Sequence, residues 1–102
     1  MTLKHIKNDS EFKEMIIEGK SVIMIHRDDC PYCAKAEPWM EELSEKYSNI
    51  AAANKKDIPK IMDVFQVTMY PTFLALENGT ISETFFGDTV ENKVKDFVNK
   101  NA

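Results

Sequence analysis

The apolar positions along this chain recur in two periods, one of strands and one of helices. An unbroken apolar run at residues 22–25, followed by His26, predicts a buried strand at residues 22–26. Beyond it, Ala36, Met40, Leu43 and Tyr47 recur at helical spacing within residues 34–47. A strand followed directly by a helix is therefore the central predicted unit of the chain.

The flanking segments continue this alternation. Strands are predicted at residues 3–6, 49–54, 72–76 and 81–86, and Asn78-Gly79 between the last two favours a tight hairpin. Asn8, Asp57 and Asp88 are predicted to begin three further helices. Their apolar stripes are Phe12, Met15, Ile16; Ile58, Ile61, Met62, Phe65; and Val90, Val94, Phe97, Val98. The predicted order is β-α-β-α-β-α-β-β-α, an α/β fold with a central mixed sheet flanked by helices.

Length and charge narrow the class of protein. A chain of 102 residues is long enough for one domain with one core, so residues 1–102 are interpreted as a single domain. The net charge of −4 and the lack of a Lys/Arg cluster argue against nucleic acid or an anionic membrane as partner. No apolar segment is long enough to cross a bilayer, and no signal peptide is visible, which favours the cytoplasm.

The only two cysteines, Cys30 and Cys33, lie between the predicted strand and helix. A Cys-x-x-Cys at such a junction is typical of a redox dithiol, whereas a zinc site would need four suitably spaced ligands. His26 and the distant His5 are the only histidines. We therefore expect no metal and no cofactor other than a redox-active Cys30–Cys33 disulfide.

Several spaced residues together resemble the thioredoxin family along nearly the whole chain. They are Cys30-Pro31-Tyr32-Cys33 opening a helix, Pro38 five residues later, Tyr70-Pro71-Thr72 entering a strand, and the glycines Gly79 and Gly87. The resemblance implies a thioredoxin fold and thiol–disulfide exchange. It also implies a cis bond before Pro71, which would lie against the disulfide, and a substrate surface that includes Tyr70, Thr72 and Gly87.

The chain also departs from that family. The Pro31-Tyr32 dipeptide resembles glutaredoxins, whereas thioredoxins carry Gly-Pro; Asp29 replaces their tryptophan, and Met24 replaces their buried carboxylate. Glutaredoxins, however, lack the extra N-terminal strand and helix and carry a Gly-Gly pair that is incomplete here at Gly87. The scaffold resembles thioredoxin and the dipeptide resembles glutaredoxin.

Exchange chemistry assigns a role to each cysteine. Cys30 at a helix N-terminus would have a stabilised thiolate and act as nucleophile, with Pro31 in the first turn. Cys33, one turn deeper, would resolve the mixed disulfide. Because exposed charges interact weakly, repulsion from Asp28 and Asp29 is expected to be modest.

With Met24 at the carboxylate position, another group must accept the proton of Cys33. His26 lies two residues along the same strand and so faces the same side as Met24, and Glu37 shares a helix face with Cys33. The alternative is that His26 is a partly exposed strand residue and Glu37 a solvated helix charge, in which case a water molecule accepts the proton.

The remaining candidate residues are interpreted as substrate contacts or as structural residues. Tyr70 would contact substrate, and Tyr32 is either a substrate contact or an exposed spacer. Trp39 is interpreted as a packing residue, Lys55-Lys56 as a solvated turn, and Pro38 as the site of a helix kink.

The leading hypothesis is a monomeric reductase of protein disulfides. It would be supplied by a thioredoxin-reductase-type or glutathione-linked donor. The alternatives are a glutathione-linked enzyme, a disulfide oxidase or isomerase, and a non-catalytic subunit or metal-binding domain.

Overall fold

Strands and helices alternate along the chain as the apolar pattern predicts. The computed structural model describes residues 3–102. The strands are β1 (Lys4–Ile6), β2 (Lys20–His26), β3 (Ile50–Asn54), β4 (Thr72–Glu77) and β5 (Thr80–Phe86). The helices are α1 (Asp9–Ile16), α2 (Pro31–Ser44), α3 (Pro59–Val64) and α4 (Glu91–Asn101), with a 3₁₀ turn at Lys55–Asp57.

The five strands form one mixed sheet in the order β1-β3-β2-β4-β5. The strands β1, β3 and β2 are parallel, and β4 and β5 each run antiparallel to the preceding neighbour in the sheet. The central strand β2 therefore ends at the same edge as β3, and α2 begins there. The predicted α/β class and element order are confirmed.

Each face of the sheet is covered by two helices, because β2 is apolar on both sides. Met24 on one face packs with α2 and α4, and Ile23 and Ile25 on the other pack with α1 and α3. The α2 face includes the buried side chains Ala36, Met40, Leu43, Phe73, Val94, Phe97 and Val98. The sheet thereby fixes α2 by an apolar contact along most of its length.

The beginning of α3 corrects the prediction that Asp57 caps it. Asp57 ends the 3₁₀ turn, and Ile58 stands at the helix cap without a side-chain hydrogen bond. The carboxylate of Asp9 accepts hydrogen bonds from the backbone N–H groups of Lys60 and Ile61, at 3.4 and 3.0 Å. Because α1 supplies this acceptor, the cap lies 51 and 52 residues away in sequence and has no local signature.

The beginning of α4 is also corrected. Asp88 was expected to cap it, but the helix begins at Glu91 with Val90 at the cap position. The Asp88 carboxylate instead pairs with Lys93. Val90 is 40% exposed and so does not share the buried face of Val94, Phe97 and Val98.

Two local predictions are confirmed. The side chain of Asn8 caps α1 by accepting from the N–H of Glu11. Asn78 and Gly79, both with positive φ, form the hairpin turn between β4 and β5. Pro38 lies inside α2, which continues through it to Ser44, and the kink stays a prediction.

The remaining differences concern element ends. All five strands begin or end one or two residues from the predicted positions; Leu3, predicted in the first strand, is buried just before it. Tyr47 lies beyond the end of α2, where it still packs against the core. Within residues 3–102, no helix is both long and apolar enough to span a bilayer.

Candidate active site

The cysteine pair lies where β2 passes into α2. After His26 the chain makes a three-residue loop in which Asp29 adopts a left-handed backbone conformation, with φ of 54°. Cys30 then occupies the helix cap, and Pro31 the first helical turn, where its missing N–H costs no hydrogen bond. The loop thereby presents Cys30 to the unpaired N–H groups of the helix.

This loop is held from two sides. The guanidinium of Arg27 donates through Nη1 to the carbonyl oxygens of Asp28 and Asp29, at 3.0 and 3.1 Å. The carboxylate of Asp28 accepts from Lys56 Nζ at 3.0 Å and from Asn54 Nδ2 at 2.9 Å. Hydrogen bonds from Lys56 and then Asn54 lower the pKa of Asp28. The negative charge of Asp28 is therefore already paired, so it opposes a thiolate at Cys30 less than an isolated carboxylate would.

Cys30 and Cys33 form a disulfide, with their Cα atoms 5.2 Å apart. The backbone N–H of Cys33 donates to Sγ of Cys30 at 3.2 Å. An N–H aimed at this sulfur favours negative charge there once the bond is reduced. The two cysteines are 8% and 5% exposed, so Cys30 is the slightly more accessible of the pair.

A second loop closes on Cys30 from the end of α3. The Tyr70–Pro71 bond is cis, as the resemblance implied, and the carbonyl oxygen of Tyr70 lies 3.7 Å from Cys30 Sγ. The hydroxyl of Tyr70 donates to the carbonyl of Val67, and Lys55 Nζ lies 5.6 Å from the centre of its ring. The Tyr70 side chain is therefore fixed against the protein and only partly exposed.

The other residues predicted for the substrate surface differ in exposure. Thr72 is only 3% exposed, and its hydroxyl donates to the carbonyl of Met69, so its contribution is to hold the loop before β4. Gly87 has a φ of 96°, a conformation that favours glycine. Tyr32 is 60% exposed beside the disulfide, whereas Trp39 packs against the core as predicted.

On the α2 face of the sheet, Cys33 borders a cavity that is also lined by Met24, His26 and Glu37. The structure thus brings together the two proton acceptors that the spacing suggested. Burial lowers the pKa of His26 from its usual 6.5, and the nearby Glu37 carboxylate offsets part of that shift. At neutral pH His26 is therefore a neutral imidazole with a free lone pair.

His5 is distant from His26 in sequence, but β1 brings it close to this cavity. His5 lies near enough to His26 to lower its pKa, and the two histidines line a neighbouring cavity of about 320 Å³. One ligand atom each from His5, Glu37 and Glu41 lies within 4.8 Å of the others, and His5 Nε2 is 3.9 Å from a Glu41 oxygen. Sequence spacing gives no sign of this grouping, because it depends on β1 lying at the sheet edge next to β3.

Comparison with known proteins gives one consistent result. The family model described as thioredoxin matches residues 3–100. The thioredoxin of Buchnera aphidicola from Acyrthosiphon pisum is 28% identical, with 91% of each chain covered. The mouse mitochondrial thioredoxin is 23% identical over 98% of this chain, which spans 63% of that relative.

Solved structures agree on the fold. A Plasmodium falciparum thioredoxin superposes with a TM-score of 0.86 at 21% identity, covering 98% of this chain and 100% of that one. The Schistosoma mansoni thioredoxin structure gives 0.82 at 24% identity, with both chains fully covered. The sheet order and helix placement described above are therefore those of the thioredoxin fold.

Proposed function

Because this chain belongs to the thioredoxin family and is a thiol–disulfide oxidoreductase that works by dithiol exchange, we propose that it reduces protein disulfides through Cys30 and Cys33. The observation that carries the proposal is the position of Cys30. It caps α2, accepts the N–H of Cys33 and lies beside the Tyr70 carbonyl. A disulfide exchange enzyme needs a stabilised thiolate, and the helix N-terminus with the Cys33 N–H provides this stabilisation at Cys30, the more exposed cysteine of the pair.

The proposed reaction has two exchange steps. The thiolate of Cys30 attacks one sulfur of the substrate disulfide, an S–S bond forms to the protein, and the other substrate sulfur leaves as a thiolate. Cys33 then loses its proton and attacks Cys30 Sγ, which restores the Cys30–Cys33 disulfide and releases the second substrate thiolate. Two electrons pass from the protein dithiol to the substrate.

We propose that His26 accepts the proton of Cys33 in the second step. Support comes from the shared cavity and from burial, which keeps the imidazole neutral. Glu37 lines the same cavity and would stabilise the resulting imidazolium of His26. Glu37 is also the alternative acceptor of the Cys33 proton. In this proposal His26 takes over the function of the buried carboxylate, whose position in the family Met24 occupies in this chain.

The proposed substrate surface combines the exposed Tyr32 with the loop at Tyr70-Pro71 and with Gly87. Thr72 would act indirectly, through its hydrogen bond to the loop. An extended substrate segment beside the cis-proline would pass the Tyr70 carbonyl and reach Cys30, which lies 3.7 Å from it.

Partners and conditions belong to the same proposal. Reduction would require a thioredoxin-reductase-type or glutathione-linked donor, and the protein would act as a monomer in a reducing compartment such as the cytoplasm. The Pro31-Tyr32 dipeptide supports a glutaredoxin-like, less reducing disulfide on a thioredoxin scaffold.

Insulin reduction with dithiothreitol as donor tests the proposal. The wild-type chain should precipitate the insulin B chain, and Cys30→Ser should abolish this. Cys33→Ser should accumulate a mixed disulfide on Cys30, because attack survives and resolution does not. Turnover by Cys30→Ser at the wild-type rate would contradict the assignment of the nucleophile.

A further inference from the structure

Lys55 and Lys56, together with Asp57, form the 3₁₀ turn that follows β3. The sequence predicts a solvated turn here, and both lysines are exposed, but each ammonium group contacts a different loop of the active site. A 3₁₀ helix has three residues per turn, so consecutive side chains point about 120° apart. One short turn can therefore reach two loops at once.

Lys56 reaches the loop that precedes Cys30. Its Nζ donates to Oδ2 of Asp28 at 3.0 Å, and Nδ2 of Asn54 donates to Oδ1 of the same carboxylate at 2.9 Å. The side chain of Asn54 also accepts the backbone N–H of Lys56 at 3.1 Å. The end of β3 therefore holds the turn and the Asp28 carboxylate together.

The loop before Cys30 depends on such contacts because its conformation is locally unfavourable. Asp29 has a φ of 54°, a left-handed conformation that is disfavoured for residues with a Cβ atom. Asp28 and Asp29 directly precede Cys30, so a change in their backbone moves the cysteine relative to the N–H groups of α2. The bond from Lys56 to Asp28 therefore acts on the position of the nucleophile.

Lys55 reaches a second loop beside Cys30. Its Nζ lies 5.6 Å from the centre of the Tyr70 ring, within the range of a cation–π contact. The hydroxyl of the same ring donates to the carbonyl of Val67, so the ring is held at two points. Because the carbonyl oxygen of Tyr70 lies 3.7 Å from Cys30 Sγ, holding the ring also fixes the backbone that faces the nucleophile.

Lys56 also changes the charge near Cys30. Asp28 lies two residues before Cys30, so their Cα atoms are at most about 7 Å apart. An unpaired carboxylate there would oppose the thiolate, and a unit charge about 8 Å away in water shifts the midpoint of a titration by about 0.4 pH units at low salt. The Lys56 ammonium, 3.0 Å from the carboxylate, offsets this charge.

We propose that the Lys55-Lys56 turn is a positioning element for the attack of Cys30 on a protein disulfide. Lys56 holds the loop before the nucleophile and offsets the charge of Asp28. Lys55 holds Tyr70, and with it the backbone beside the substrate. The inference rests on the proposed function, because it takes Cys30 as the nucleophile.

Single-turnover reduction of insulin measures the effect on attack. Each variant is reduced beforehand and freed of donor, so that the protein dithiol alone supplies electrons. Lys55→Met and Lys56→Met should each slow the reaction about two- to fivefold, the scale of an exposed cation–π contact or ion pair. Lys55→Arg and Lys56→Arg should react at close to the wild-type rate, because a guanidinium makes both kinds of contact.

Lys60→Met is the matched control, because it removes the same charge from the first turn of α3 without breaking either contact. It should react at the wild-type rate, which excludes a general effect of charge on the approach of insulin. Unfolding curves check that all variants are folded. A positioning role is overturned for either lysine if its Met variant reacts as fast as Lys60→Met.

A small disulfide separates the actions of the two lysines. The neutral 2-hydroxyethyl disulfide has no polypeptide segment to lie along the Tyr70 backbone, so Lys55→Met should react with it at the wild-type rate. Lys56→Met should be slower with both substrates, because the position and charge at Cys30 affect every attack. Equal slowing of Lys55→Met with both substrates overturns its action through the backbone beside the substrate.

The pH dependence of alkylation tests the charge. In Cys33→Ser only Cys30 reacts with iodoacetamide, and the midpoint of the pH–rate profile reports how readily its thiolate forms. Lys56→Met in this background should raise the midpoint by about 0.4 units at low salt, and Asp28→Asn should lower it. The double variant should return to the midpoint of Cys33→Ser alone, because both charges are then gone.

The midpoints distinguish charge from a purely structural tie, because loss of a tie would affect both single variants in the same direction. The same four proteins share the other charged or titratable groups of the cavity beside the cysteines, namely His26, Arg27, Asp29 and Glu37. Unchanged midpoints, or shifts of Lys56→Met and Asp28→Asn in one direction, overturn the charge role of Lys56. Alkylation needs no disulfide substrate, so failure of the reduced wild-type protein to reduce insulin overturns the proposed function separately.

Discussion

Cys30 and Cys33 are three residues apart in sequence, but their surroundings differ in kind. Cys30 meets backbone groups, namely the N–H of Cys33 and the carbonyl of Tyr70. Cys33 shares a cavity on the α2 face of the sheet with the side chains of Met24, His26 and Glu37, and Cys30 lies at its border. The chemistry at Cys30 therefore depends on the fold, whereas the chemistry at Cys33 depends on which residues this sequence supplies.

This difference explains how a sequence that departs from the thioredoxin pattern near the cysteines can keep the chemistry of the family. Backbone N–H groups at a helix N-terminus stabilise a thiolate whatever the nearby side chains, and the loop before Cys30 pairs its own acidic residue Asp28 with Lys56. Within residues 3–102, no backbone group does the equivalent task at Cys33. Under the proposed function, His26 and Glu37 compensate for the exchange of a carboxylate for Met24, since both line the same cavity.

The largest effect, on stability, is expected from placing a carboxylate at residue 24, near Cys33. Met24 is 1% exposed, so Met24→Asp should lower the free energy of unfolding by about 3 kcal/mol or more, the cost of an uncompensated buried charge. Since burial raises the pKa of such a carboxyl group, the loss should grow as pH rises from about 5 to 8. Urea unfolding measures it.

Met24→Leu is the matched control, because it keeps the volume and adds no charge. It should cost less than about 1.5 kcal/mol. If Met24→Asp proves as stable as Met24→Leu at every pH, residue 24 does not lie in an apolar environment.

The second prediction concerns the reduction potential. A thiolate at a helix N-terminus, with no buried negative charge beside it, stabilises the reduced form. We expect about −200 to −230 mV, compared with about −270 mV for thioredoxin, a difference worth some 2–3 kcal/mol. Equilibration against glutathione redox buffers measures it. A value at or below about −270 mV would show that the scaffold, and not the Pro31-Tyr32 dipeptide, sets the redox function.

The third prediction separates attack from resolution. His26→Gln should slow the release of a preformed mixed disulfide about ten- to hundredfold near neutral pH and leave the attack of Cys30 unchanged, since proton acceptance serves only Cys33. Stopped-flow fluorescence with Trp39 as the probe follows both steps. Glu37→Gln is the comparison variant: a larger effect there would assign the proton to Glu37.

The smallest effect is expected in the pH dependence of stability. Because burial places the folded pKa of His26 below its unfolded value, the unfolded chain binds the proton more readily, and stability should fall as pH drops below about 6.5. His26→Gln should remove this part of the acid sensitivity. Thermal unfolding of both proteins between pH 5 and 8 checks it, and identical profiles would mean that His26 titrates normally.

Sequence alone determined the elements whose signals are local. Three such elements are the apolar run of β2, the Asn8 cap and the Asn78-Gly79 turn. Each depends on neighbours within a few residues, so its pattern can be recognised in the sequence without knowledge of the fold. The position of Cys30 at a helix start follows from the same kind of signal, a strand, two cysteines and a proline in the first turn. These signals were enough to predict the order of the elements and the redox chemistry.

Only the tertiary structure decided the contacts between distant segments. Asp9 caps α3, Lys56 pairs with Asp28, and His5 lies beside Glu37 and Glu41. A carboxylate accepts a hydrogen bond from whichever donor the fold brings near it, so an Asp or Glu in the sequence does not reveal its partner. Asp57 and Asp88 had the local pattern of a cap, yet α3 receives its cap from another helix and Asp88 pairs with Lys93. The cavity that Cys33, His26 and Glu37 share depends in the same way on β2 and α2 meeting at one edge of the sheet, which the spacing of residues along the chain does not encode.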